Sequence, residues 1–214
     1  NVSIAESTSS STLALGSAAG TLLSDAELDN ISTTGTITIG QATTAGSDGA
    51  GTGASTLTSG AITTDGLTLS QNLALVTNST VSLGASTLTG NFSVTSSGAI
   101  TQTGALAITG TTTLAAGAAN DITLSTATNN FTGAVAITTG NNVTLVDANA
   151  IDLGASTVSG AYAVTATAGG DITDSGVLAI TGVSTFTAAN GQSVILDSAG
   201  TYTGTVAFAS GGTL

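Results

Sequence analysis

From Ile100 onward the apolar residues come in short alternating clusters: Leu106 and Ile108, Leu114, Ile122 and Leu124, Phe131, Val135 and Ile137, Val143 and Leu145, Ile151 and Leu153. Ser, Thr, Ala, Asn and Gly fill the gaps. A period of two over a few residues marks a strand with one buried face, and an interval of about seven or eight residues leaves room only for short strands and turns. The pattern predicts an all-β chain.

The clusters also repeat as a larger unit. "LGASTLTG" (Leu83 to Gly90) returns as "LGASTVSG" (Leu153 to Gly160), "ITQTGALAITG" (Ile100 to Gly110) as "ITDSGVLAITG" (Ile172 to Gly182), and "FTGAVAI" (Phe131 to Ile137) as "YTGTVAF" (Tyr202 to Phe208). A fainter echo, "GASTLTSGAITTDGLTL", runs from Gly53 to Leu69. Residues 1–214 read as one repetitive segment with an internal repeat of about 70 residues, at 83–152 and 153–214. Each unit divides into three turns of about 22–24 residues with three strands per turn, a three-sided parallel β-helix or solenoid. The chain has no Pro, as a structure needs in which every internal strand donates its N–H to a neighbouring coil. The 29 Gly are expected to supply positive φ at the corners, with Asn in "TNN", "GNN" and "DAN" doing the same. Val, Ile, Leu and the six aromatic rings are the candidate core.

One segment departs from the period of two. "LLSDAELDNISTTGTITIG" (Leu22 to Gly40) contains Ser24-Asp25-Ala26-Glu27, the spacing of a helix-start capping box, with Leu28 and Ile31 on one face and acids near the positive end. A single helical turn beside a coil is expected here.

Composition then removes whole classes of function. There is no Lys, Arg, His, Cys or Trp, and the formal charge of −12 comes from Glu6, Asp25, Glu27, Asp29, Asp48, Asp65, Asp121, Asp147, Asp152, Asp171, Asp174 and Asp197. Without a cation to meet phosphate, nucleic acid and anionic membrane surfaces are poor partners. Apolar runs such as "AVAI" (Ala134 to Ile137) stop far short of the ~20 residues of a spanning helix, so no membrane insertion is expected. The opening "NVSIAESTSS" has neither a basic n-region nor an apolar h-region, which fits a processed chain or a fragment. The absence of Cys suits an extracellular protein stabilised by repetition.

The order "LSDAELDNI…GTITIG", then "ITQTGALAITG", then "NDITL…NNFTGAVAI" resembles the repeat regions of filamentous-haemagglutinin-like bacterial exoproteins, from about Leu22 to the C-terminus. The resemblance implies a right-handed coil, secretion to the cell surface, often by a two-partner system, and a role as a stalk or adhesin. It carries no transferable active site, and the secretion-recognition domain of that family is not evident in these residues.

Candidate chemistry is sparse. A serine nucleophile needs a base such as His or Lys, and the chain has neither, so no enzyme of that kind is expected. Asp171 with Asp174, or Asp147 with Asp152, lie close enough in sequence to be candidate carboxylate pairs for acid-only glycoside chemistry. They read better as corner aspartates. Asp25, Glu27 and Asp29 are the candidate calcium ligands, although they match neither the Gly-Gly-x-Gly-x-Asp repeat nor the EF-hand loop. No other cofactor is expected. Thr-x-Thr pairs begin at Thr36, Thr56, Thr87, Thr101, Thr185 and Thr201, and an ice-binding face would need them at one coil length on one side. Their steps are uneven, so ordinary outward β-formers is the simpler reading. Sequons begin at Asn1, Asn30, Asn78, Asn91, Asn130 and Asn142, a number expected by chance in so Ser- and Thr-rich a chain.

Two roles remain. One is a stalk that holds a distal tip away from the cell and meets a host or neighbouring-cell surface. The other is a subunit of a homopolymeric extracellular filament, since "NVSIAESTSS" and "AFASGGTL" both read as able to continue the ladder into coils of the same or an identical chain.

Overall fold

The computed structural model of the protein describes residues 1–4, 12–16, 23–40 and 60–210. They form parallel sheets wound into a solenoid, as the alternation predicts. Two sheets are nine strands wide. Sheet A runs Val2–Ile4, Thr36–Gly40, Asn72–Val76, Phe92–Thr95, Thr112–Ala115, Val135–Thr139, Ile151–Leu153, Ile172–Asp174 and Val194–Ile195. Sheet B runs Leu13–Gly16, Ile62–Asp65, Val81–Leu83, Ile100–Gln102, Ile122–Leu124, Val143–Asp147, Tyr162–Ala166, Ser184–Ala188 and Val206–Ala209. Two narrow sheets close the third side. Sheet C holds Leu67–Leu69, Ser86–Leu88, Leu106–Ile108 and Asn130–Phe131, and sheet D holds Ser156–Val158, Leu178–Ile180 and Thr201–Tyr202.

The narrow side changes place. Up to Phe131 the chain visits sheets A, B and C in turn, whereas from Ile151 it visits A, D and B. At the switch it passes from Val143–Asp147 in sheet B directly to Ile151–Leu153 in sheet A, with no third strand between. Coils are also shorter than the expected 22–24 residues. Along sheet B the register runs Ile62, Val81, Ile100, Ile122, Val143, Tyr162, Ser184, Val206, steps of 19 to 22. A unit of about 70 residues therefore holds three coils and one strand more, ten strands rather than the nine expected. Leu83 consequently lies in sheet B and its repeat equivalent Leu153 in sheet A.

Alternation places Leu73 and Leu75, Val81 and Leu83, Ile100, Ile122 and Leu124, and Val143 and Leu145 inside the coil, all essentially inaccessible. Each side chain of this size contributes about 1.5–3 kcal/mol on burial. The "LGAST" motif has a local cause. Leu83 points in, Gly84 turns the corner, and Ser86 points in but sends its hydroxyl back to the Gly84 carbonyl at 3.1 Å. Ser156 repeats this on Gly154 at 2.9 Å. A serine is needed because it fills an inward site beside a corner and satisfies its own polar atom.

Most corner glycines serve closeness rather than positive φ, which corrects the expectation from sequence. Among the described residues only Gly16, Gly40, Gly66, Gly117 and Gly191 have positive φ. Gly90, Gly110 and Gly133 stack in one corner column, and Gly160, Gly182 and Gly204 in another. A Cβ on Gly110 would lie 2.4 Å from the Gly90 carbonyl oxygen, and one on Gly182 would lie 2.4 Å from that of Gly160.

The predicted helix is present as α1, Asp25–Asp29, with Ser24 as N-cap and the full capping box with Glu27. Leu28 is buried against the core, and Ile31 packs on it. The helix occupies the narrow side below Leu67–Leu69.

Candidate functional site: polar ladders at the corners

Side-chain chemistry in this fold is concentrated where strands begin. The Asn or Asp that opens or just precedes a strand accepts the N–H of the residue one coil higher: Asn72 from Asn91 at 2.8 Å, Asn91 from Thr111 at 2.9 Å, Asn142 from Ala161 at 3.0 Å and Asp171 from Ser193 at 2.7 Å. Asp121 accepts from the Asn142 N–H and from both the Asn141 and Asn142 amides. These side chains complete the ladder at positions where backbone pairing lapses.

A second ladder runs inside the corner between sheets B and C. The Gln102 and Asn129 amides pair with each other, and Asn129 Oδ1 accepts the Leu106 N–H at 2.9 Å while its Nδ2 donates to the Val146 carbonyl at 3.1 Å. Above them lies Asp147, fully buried. Its Oδ2 accepts the Phe131 N–H at 2.7 Å and its Oδ1 the Asn149 N–H at 2.6 Å. Burial raises its pKa above the ordinary aspartate value, against the opposing pull of those two amides. The chain has no Lys, Arg or His side chain to neutralise it.

Asp147 and Asp25 do the same work at opposite edges of sheet C. Asp25 Oδ1 accepts the Thr68 N–H at 2.7 Å on the lowest strand, and Asp147 accepts that of Phe131 on the highest. Each carboxylate accepts a main-chain N–H at an edge of sheet C, where no further strand of that sheet supplies an acceptor.

The candidate residues therefore fall apart as chemical sites. Asp25 caps a strand; Glu27 Oε2 accepts the Ser24 N–H and hydroxyl, each at 2.9 Å, which lowers its pKa. Among the described residues no three acids come together to hold a cation, so Asp25, Glu27 and Asp29 are not gathered as a calcium site. Asp147 lies in sheet B and Asp152 in sheet A, on separate sheets. Asp171 serves Ser193, while Asp174 Oδ1 accepts the N–H groups of Asp197 at 2.9 Å and Ser198 at 3.2 Å. Glu6 and Asp48 lie outside the described residues.

A shallow groove of about 230 Å³ crosses the lower part of sheet A, floored by Leu73 and Phe92 and rimmed by Asn72, Asn91, Ser93 and Thr113. None of its lining residues titrates near neutral pH, and the Asn72 and Asn91 oxygens are already engaged by the next coil. The Thr-x-Thr pairs are spread over the faces: those at Thr36, Thr87 and Thr201 lie along sheets A, C and D, those at Thr101 and Thr185 along sheet B. The pair at Thr56 lies outside the described residues. Among the described residues no helix is long and apolar enough to cross a membrane.

Sequence reasoning missed the Gln102–Asn129–Asp147 ladder. Period-two alternation assigns apolar residues inside, and an inward amide or acid at a strand end leaves no trace in it. One signal was available, since Gln102 and Asp174 occupy equivalent places in the repeat.

Comparisons with known proteins agree with this repeat architecture. Neither the curated proteins nor the solved structures contained a match. A family described as "Repeats of unknown function (DUF5649)" matches residues 70–138 and 140–212. Those two matches cover more than half of the chain, each close in length to the internal unit, and the protein belongs to that repeat family.

Proposed function

We propose that the chain is a section of the β-helical stalk of a secreted, filamentous-haemagglutinin-like cell-surface adhesin, and that its work is mechanical. The observation that carries this reading is the pair of nine-stranded parallel sheets. Successive coils are joined through both wide sheets and, over most of the length, a narrow one, so no strand peels from its neighbour alone. Corner ladders of Asn and Asp extend the joint beyond the strands. Total stability then grows with coils stacked, as expected of a solenoid whose stability is a sum of neighbour terms.

The exterior fits a spacer. Ala, Ser and Thr cover it, and the only side-chain charges are negative, which keeps neighbouring rods apart. Every carboxylate with a resolved hydrogen bond accepts from the protein's own main chain or side chains.

Two measurements test the reading. Sedimentation of the purified chain over rising concentration is expected to show a monomeric rod; growth into filaments would replace the stalk with the homopolymer. Surface labelling of intact source cells is expected to reach the native protein, and labelling only after lysis would remove the secreted role.

A further inference from the structure

We propose that Asn190 is a modification site, converted to aspartate and isoaspartate by attack of its own following amide. Asn190 and Gly191 form the exposed turn between Ser184–Ala188 and Val194–Ile195, closed by the Gln192 N–H on the Ala189 carbonyl at 3.0 Å. Gly191 has φ +81, and a Cβ there would meet nothing within 4 Å. Among the described residues neither the Asn190 side chain nor the Gly191 N–H makes a hydrogen bond. Reaction needs a nucleophilic nitrogen that is not held in a ladder, an uncrowded approach to the side-chain carbonyl, and a following residue without a side chain. All three meet here.

At the asparagines at strand starts the fold withholds the nitrogen. After Asn72, Asn91 and Asn142 the next amide is donated to a carbonyl one coil higher, at 2.9, 2.8 and 2.8 Å. After Asn130 the Phe131 amide goes to Asp147. Asp65-Gly66 has the right sequence for the related aspartate reaction, but the Gly66 N–H is bonded to the Ala85 carbonyl at 2.7 Å. The Asn-Gly pair is thus exposed by tertiary structure as well as permitted by its residues.

In the reaction the Gly191 nitrogen loses its proton to hydroxide and forms a bond to Asn190 Cγ. The Cγ–Nδ2 bond breaks and Nδ2 leaves as ammonia, giving a five-membered imide. Water then opens the ring. Cleavage on the Cγ side gives aspartate, and cleavage on the main-chain carbonyl side gives isoaspartate with one extra backbone carbon. Either product adds a negative charge to the turn that precedes Ser193, whose N–H is held by Asp171. Ser184–Ala188 and Val194–Ile195 are then joined by a corner that is more acidic and, in isoaspartate, longer.

The test is incubation of the folded chain at 37 °C and pH 8.5, followed by peptide mapping with mass spectrometry that separates aspartate from isoaspartate. The expected result is loss of the amide at Asn190, at a rate comparable to that of the same chain in urea, slower at pH 6, with the other described asparagines retained. Asn190→Gln, which would need a larger ring, is expected to abolish the change without loss of fold. An intact Asn190 in the folded chain alongside conversion in urea would overturn the proposal, as would equal loss at Asn91 or Asn142.

Discussion

The two copies of the repeat spell nearly the same strands, yet they build different places in the molecule. In the lower copy the motif beginning at Leu83 feeds sheets B, C and A; in the upper copy, beginning at Leu153, it feeds A, D and B. Ten strands cannot be shared evenly over three sides, so the second copy is displaced by one strand and the narrow side moves across the rod. A short strand with a glycine corner is tolerant of this, because its inward residues meet a core made of similar residues whichever sheet it joins. Two differences in content accompany the shift. Leu114, Phe131 and Ile137 of the lower core become Phe186, Tyr202 and Phe208, and outward or corner positions Ser82, Ala99, Gln102 and Ser125 become Asp152, Asp171, Asp174 and Asp197. Position for position the upper copy carries more rings and more acids, while the lower core mixes aliphatics with Phe92 and Phe131.

Exchanging single residues separates these contributions. The largest effect is expected at Phe186, which meets Tyr162 edge-on at 6.0 Å and stacks on Phe208 at 5.7 Å. Phe186→Ala should cost about 3–5 kcal/mol, and its lower equivalent Leu114→Ala about 2–5 kcal/mol, in urea unfolding followed by circular dichroism. Equal losses would show that the ring contacts give Phe186 no advantage over its aliphatic equivalent.

Asp147 stands at the junction of the two copies. Asp147→Asn leaves one acceptor for two main-chain amides and should cost about 1–3 kcal/mol at neutral pH. The sign with pH follows from its raised pKa. This group contributes stability below the ordinary aspartate value, lost as pH rises through the raised folded value. The Asn variant should lose that component, and an unchanged difference between pH 3 and pH 7 would show that Asp147 is not its source.

Gly110→Ala and Gly182→Ala place a Cβ against equivalent carbonyls, each at 2.4 Å. Both are expected to cost about 1–3 kcal/mol, and by the same amount, since the corner is alike although the sheets it joins are not. A tolerant Gly182 beside an intolerant Gly110 would show that the upper coils give way more easily. The smallest effect is expected at Asp152, whose Oδ1 is buried without a partner among the described residues. Asp152→Ser restores the lower copy's residue and should gain up to about 1 kcal/mol in the same unfolding measurement.

Much of this was legible from residues alone. Period-two clusters in the chain mark the strands, the recurrence of "LGAST" marks the unit, and Ser24 with Glu27 marks the one helical turn, because each of these is set by contacts within a few residues. The ladder of Gln102, Asn129 and Asp147 was not legible, since its partners lie 16 to 27 positions apart and its geometry depends on how coils stack. The role of glycine was misread for the same reason: Gly110 is required by the carbonyl of Gly90 in the coil beneath, a neighbour that local conformation does not reveal.

By itself, then, the sequence determined that this protein is a parallel solenoid with an acidic, hydroxyl-rich exterior, because alternation and composition act strand by strand. Only the tertiary structure decided coil length, the count of ten strands in a unit and the crossing of the narrow side. Those follow from register, and register is settled by which carbonyl each corner amide finds on the coil below.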